Sequence, residues 1–238
     1  MPAMHSASGL KGRGVCLPAP HRRPTVYLLK PGSIERDELG RILDARSSVV
    51  LITSGPHRIV VDTGLAGEES TIVSALAELG LRPEDVDIIV NTHSHPDHCG
   101  GNHLFREASK AGTGDGEIIA PGVSIMATAG HSPDSISVVV DGSIVCLNLQ
   151  HGAAGAGPSH PDQMTEAGII VIAGDALPTL GNFLKEVPPA LHTDRNLAEA
   201  SLKKIIEIAD VVVPGHDTPF SIRKKAYIPN SGKMDLTF

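Results

Sequence analysis

The sequence has no tryptophan, and aromatic residues of all kinds make up only 3% of it. A surface that stacks the bases of single-stranded nucleic acid needs aromatic faces, so that class is disfavoured. Cysteine is equally sparse. Cys16, Cys99 and Cys146 are too few and too scattered for a disulfide framework or a cysteine-rich zinc site. A reducing, cytoplasmic setting is the expectation that follows. No apolar run approaches ~18 residues, so no transmembrane helix is expected. There is no long basic run either, and the formal net charge is -7, which argues against a broad electrostatic face for nucleic acid. The opening, "MPAMHSASGLKGRGVCLPAPHRRP", carries positive charge without an apolar stretch and does not read as a signal peptide. Residues 1–24 are expected to be an irregular lead-in, and residues 25–238 a single domain. Oligomeric state is not legible.

What is present is β-branched. "TVYLL" at 25–29 predicts a strand. "SIERDELGRILDA" fits a short helix or a polar loop. Two runs at 49–53 and 58–62, flanking Ser-Gly-Pro, predict a hairpin. "EESTIVSALAELG" predicts a helix with Ile72, Leu76 and Leu79 on one face and Gly80 at its end. "DIIVNTH" predicts a buried strand, and "NHLFREASKAG" a helix ending at Gly112. "SISVVVDGSIVCLNL" predicts a second hairpin turning at Asp141-Gly142. The Gly/Pro-rich stretch 150–163 predicts a loop edging the site. "GIIVIAGDAL" predicts a strand ending at Asp175, and "DRNLAEASLKKIIEIA" a helix with Leu202, Ile205, Ile206 and Ala209 on one face. "DVVVPGH" predicts a strand ending at His216.

The two halves echo each other: hairpin, carboxylate, helix, strand, histidine. That order predicts two sheets related by pseudo-symmetry, each covered by helices. Asp62, His93, Asp175 and His216 then fall together at strand ends, where α/β proteins place their chemistry.

One stretch stands out: "NTHSHPDHCGGN", residues 91–102. Imidazole nitrogens and carboxylate oxygens are the groups that zinc and similar ions accept. His93 and His95, two apart, point the same way. Asp97 and His98 follow Pro96 and face elsewhere, which favours two ions over one. Two ions need more than four ligands, and His131, Asp175 and His216 supply them. The candidates are therefore His93, His95, Asp97, His98, His131, Asp175 and His216. Cys99, His103, His151, His160 and the basic "IRKKAY" near the end are expected to stay out of the metal shell.

The motifs "VDTG", "THSHPDH", "AGHSPDS", "AGDA" and "PGH", in that order, resemble the metallo-β-lactamase superfamily of hydrolases over most of the chain. The resemblance implies an α/β (α+β) chain folded as a four-layer αββα sandwich. It implies two divalent metal ions, zinc first, with manganese(II) or iron(II) as alternatives. His93, His95 and His131 would hold one ion, Asp97, His98 and His216 the other, and Asp175 would bridge. Asp62 would stand behind the histidines rather than bind an ion.

A site of that kind makes hydroxide from water near neutral pH. The expected enzyme is a zinc-type hydrolase of a small ester, lactone, thioester or phosphoester, with room for broad specificity. Asp97 would act as both ligand and acid/base. The diiron flavoproteins of the superfamily would call for Glu at position 95, where this chain has His. Glyoxalase II carries a longer C-terminal part than the 22 residues that follow His216. The homoserine-lactone lactonases share the motifs, but neither Tyr27 nor Tyr227 lies near one. A phosphodiesterase or nuclease is the alternative, and an inactive metal-binding interaction module a lesser one. The small-molecule substrate itself is not identified.

Overall fold

The computed structural model describes residues 23–146 and 165–229. Most of the expected lead-in, the 150–163 loop with His151 and His160, and the last nine residues lie outside the described residues. In chain order the strands and α-helices are β1 (Thr25–Lys30), β2 (Ser33–Arg36), β3 (Ile42–Arg46), β4 (Val49–Ser54), β5 (His57–Val61), α1 (Glu69–Glu78), β6 (Ile88–Val90), α2 (Pro96–Cys99) and β7 (Ser109–Lys110). They continue with β8 (Ile118–Ala120), β9 (Val123–Ala127), β10 (Ile136–Cys146), β11 (Thr165–Gly174), α3 (Leu180–Lys185), α4 (Arg195–Ile208), β12 (Val211–Pro214), β13 (Phe220–Ser221) and β14 (Ala226–Tyr227).

Strand residues alternate between two cores with a period of two, because successive side chains point to opposite faces. Val50, Ile52, Ile59 and Val61 of the first half meet Ile170, Ile172, Val211 and Val213 of the second in one central cluster. The intervening residues face outwards. Val49, Leu51 and Val60 pack against Ile72, Ala75 and Leu76 of α1. Val171 and Val212 pack against Phe183 of α3 and Leu202 and Ile205 of α4. Three apolar seams separate four layers, giving the αββα sandwich. Strands buried on both faces read as nearly continuous Val/Ile runs, which is why the sequence showed them clearly. The helix ends follow local rules: Gly80 takes the left-handed conformation just past α1 (φ 71), and Asp194 Oδ1 accepts from the Leu197 amide at the start of α4.

The two halves are not separate sheets at their edges. Parallel pairing of β1 with β10 joins twelve strands in the order β14-β13-β12-β11-β10-β1-β4-β5-β6-β7, with β9 and β8 branching from β10. Here the expected hairpin at Asp141-Gly142 is overturned: residues 136–146 form one continuous strand. On one edge β10 pairs with β9 through Val140 and with β1 from Ser143. Gly142 sits at the exchange, and a Cβ there would lie 2.3 Å from the Pro24 carbonyl oxygen. Its role is close approach of a neighbouring chain, not a turn.

Two further expectations are corrected. Residues 33–46 are neither helix nor loop but a β2–β3 hairpin, turned at Asp37, whose Oδ1 accepts from the Leu39 and Arg41 amides. The hairpin is largely exposed, so it lacks the apolar alternation that marks a buried strand. Residues 102–112 form no α-helix. A 3₁₀ turn at Asn102–Leu104 is followed by β7, whose backbone pairs in parallel with β6. Sheet-edge pairing wins over the local helical preference. No helix among the described residues is long and apolar enough to cross a membrane.

Gly142→Ala is expected to destabilise the fold by about 1–3 kcal/mol through overpacking. Urea unfolding should show a lower midpoint with an unchanged slope.

Candidate metal centre

Every candidate side chain sits just beyond a strand or on the short helix α2. Asp62 follows β5 with φ 56, an unusual backbone for a non-glycine residue and a form of strain that recurs at functional sites. His93 and His95 follow β6, and α2 carries Asp97 and His98. His131 lies between β9 and β10, Asp175 follows β11, and His216 follows β12. A Cβ on Gly215 would lie 2.3 Å from Asp175 Oδ1, so only glycine lets β12 end this close to β11.

The structure gathers all seven candidates into two adjoining groups. His93, His95, His131 and Asp175 form one, and Asp97, His98 and His216 the other; within each, the potential ligand atoms lie within 4.8 Å of one another. Asp175 reaches both: Oδ2 is 3.3 Å from His131 Nε2, while Oδ1 is 3.0 Å from His216 Nε2 and 3.3 Å from His98 Nε2. Asp97 Oδ2 is 3.6 Å from both His98 Nε2 and His216 Nε2. His95 is exposed and the other imidazoles are buried.

The rings are aimed by their second nitrogens. His131 Nδ1 donates to the Leu191 carbonyl at 2.7 Å, and His216 Nδ1 to the Arg46 carbonyl at 3.0 Å. A carbonyl oxygen only accepts, so each Nδ1 carries a proton and each ring turns its Nε2 inwards. His98 Nδ1 lies 2.7 Å from Asp62 Oδ2, and that carboxylate also accepts from the Thr92 amide and hydroxyl at 2.7 and 2.8 Å. Asp62 thus holds His98 from behind and stays out of both groups. Such partners fix ring orientation and raise ligand basicity.

The centre is a set of acceptors facing acceptors. His93 Nε2, His98 Nε2 and Asp175 Oδ1 are buried without a hydrogen-bond partner. Buried lone pairs without donors are costly, and only protons or cations relieve them. The donor set, imidazole nitrogen with carboxylate oxygen, fits a divalent ion of the zinc type. Burial opposes charge on His98, yet Asp62 and Asp175 overcome it and hold its pKa well above the ordinary histidine value. His216 is also raised, burial being outweighed by its contact with Asp175. Burial likewise works against the Asp175 carboxylate, but its contacts with His216 and His98 keep it well below the usual range. His93 goes the other way, lowered to about 3 by burial and then by its neighbour His98.

Residues 43–114 match the family described as the metallo-beta-lactamase superfamily. A probable metallo-hydrolase of Methanocaldococcus jannaschii is 32% identical over 203 residues, covering 81% of this chain and 86% of the relative. The chain belongs to the metallo-β-lactamase superfamily. It is a metal-dependent hydrolase by family. A further superfamily relative, an N-acyl homoserine lactonase from a Bacillus species, is 29% identical, covering 74% of this chain and 79% of the lactonase. Among solved structures, a putative metallo-beta-lactamase from Thermotoga maritima aligns with a TM-score of 0.60 at 19% identity, covering 84% of this chain and all of its counterpart.

Several residues that build this cluster carried no mark in the sequence. Leu191 and Arg46 act through backbone carbonyls, which any residue offers. Asn91 and Asn102, the two ends of the histidine-rich stretch, exchange amide hydrogen bonds at 3.1 and 2.9 Å and clasp that stretch shut. Tyr227 is not remote after all: its hydroxyl donates to Asp217 Oδ2 at 2.8 Å, one residue from His216. Cys99 Sγ points back to the His95 carbonyl at 3.2 Å, and exposed His103 lies 3.2 Å from the Gly100 carbonyl; neither belongs to the two groups.

A cation entering the Asp97–His98–His216 group must displace the protons that the raised pKa values retain, whereas His93 is already neutral. Metal affinity therefore rises with pH. Calorimetric titration of the metal-free protein with zinc is expected to show clearly weaker binding at about pH 6 than at about pH 8, with proton release measured in buffers of different ionisation enthalpy.

Proposed function

We propose that the chain is a dinuclear hydrolase of a small ester, lactone or thioester, with His93, His95 and His131 serving one ion, Asp97, His98 and His216 the other, and Asp175 between them. The observation that carries this reading is that Asp175 reaches both groups, Oδ2 lying 3.3 Å from His131 Nε2 and Oδ1 3.0 Å from His216 Nε2, with His93 Nε2 and His98 Nε2 buried beside it without a hydrogen-bond partner. Two ions there would supply a nucleophile from water at neutral pH and polarise the substrate oxygen.

The chain's own groups do the rest. Leu191 and Arg46 keep the His131 and His216 rings from turning, and Asp62 does the same for His98. Pre-set geometry of this kind lowers the reorganisation needed during reaction. The Asp97 side chain is 18% exposed, so it faces both the centre and solvent. In this reading its carboxylate would take a proton from the attacking water and return it to the leaving oxygen. Carboxyl substrates are favoured over nucleic acid by the Bacillus lactonase relative and by the apolar Leu191, a residue 61% exposed whose backbone carbonyl accepts from His131.

The metal-loaded protein is expected to cleave at least one of a simple aryl ester, an alkyl lactone and a lactoyl thioester faster than p-nitrophenyl phosphodiesters. Preference for the phosphodiesters would favour the nuclease alternative. His95→Ala is expected to lower kcat/KM by at least about 100-fold, while circular dichroism and the urea midpoint stay close to wild type because His95 is exposed. Retained activity would remove His95 from the site.

A further inference from the structure

Lys30 ends β1 as a buried ammonium, 8% exposed, with no part in the chemistry above. Its Nζ donates to the Ser47 carbonyl at 2.6 Å and lies 3.2 Å from Glu68 Oε1. Glu68 is itself 9% exposed. Burial lowers the Lys30 pKa, and the nearby Glu68 carboxylate works against that. A buried ion pair is weak evidence for stability, since apolar residues of similar size often serve as well. A positional role is therefore worth seeking.

The two partners lead in different directions. Ser47 is the middle of a cradle for the His216 loop. Arg46 carbonyl accepts from His216 Nδ1, the Ser48 amide donates to the Gly215 carbonyl at 2.7 Å, and Ser48 Oγ donates to the Pro214 carbonyl at 2.7 Å. Glu68 belongs to the loop that supports His98. Its Oε2 accepts from the Leu65 amide at 2.9 Å, the Gly64 carbonyl accepts from the Gly100 amide, and the Thr63 amide donates to the His98 carbonyl at 2.8 Å. Arg46 adds a second link to Glu68 at 3.3 Å.

We propose that the Lys30–Glu68 pair is a positioning device that ties the support of His216 to the support of His98, and so sets the spacing of the Asp97–His98–His216 half of the centre. Neither residue touches substrate or ion. The other half, built on His93, His95 and His131, does not depend on it. The metal arm of the test rests on the two-ion reading; an arm on the metal-free protein does not.

The test uses Lys30→Met combined with Glu68→Gln, which removes both charges while leaving an acceptor for the Leu65 amide, and Lys30→Arg as the conservative control. In zinc titrations of the full chain, wild type takes two equivalents. The double variant is expected to bind one as wild type does and the other about 10- to 100-fold more weakly, the range for lost ligand-orienting partners. Lys30→Arg is expected to recover most of that loss. In the metal-free protein, hydrogen exchange of the Ser48 amide should quicken by at least about 10-fold in the double variant while β10–β11 amides hold their rates. Two equivalents bound as in wild type, or both weakened alike, overturn the proposal, as does unchanged exchange at Ser48. Wild-type binding of fewer than two equivalents refutes the two-ion reading, and the exchange result then decides the positioning role alone.

Discussion

Five imidazoles and two carboxylates, most of them buried, brought together at the strand ends oppose one another. Their lone pairs repel, and burial strips the water that would satisfy them. The rest of the molecule is organised around holding that set in place. Rings that would otherwise rotate are pinned by their outer nitrogens on Leu191, Arg46 and Asp62. The pins come from chain segments far apart in sequence, so only a stiff framework keeps them in register. The sandwich provides it: each strand that ends at the centre is packed on both faces, by the central seam on one side and a helix-covered seam on the other. β10 stiffens the whole by belonging to both halves at once.

Much of this was legible from residue types. Nearly continuous Val/Ile runs located β4, β5, β11 and β12 because both of their faces are buried, and the amphipathic spacing of α1 and α4 showed which face each would bury. The candidate site was legible for a different reason. Ligand chemistry permits few residue types, and histidines or aspartates directly after apolar runs mark strand ends.

What was not legible depended on partners the local sequence does not name. Asp141-Gly142 has the composition of a tight turn, yet glycine also suits a backbone passing close by, and only the arrival of Pro24 decides between them. The β2–β3 hairpin buries too little to alternate. Residues 102–112 have helical composition, but their backbone completes the edge of β6. Backbone carbonyls that aim a histidine leave no trace in residue type. Nothing in the residue type of Lys30 likewise names Ser47 and Glu68 as its partners.

The crowding of His93, His95, Asp97 and His98 into six positions has a thermodynamic consequence. Those four groups are neighbours along the chain before any folding occurs, whereas His131, Asp175 and His216 arrive only through tertiary structure. The unfolded chain thus keeps a metal-binding segment of its own. A ligand stabilises a fold only by the difference between its affinities for the folded and unfolded forms. Metal will therefore raise the melting temperature of this protein by less than its tightness of binding to the native site would suggest, and a chain still emerging from synthesis can capture an ion before the groups that complete the site exist.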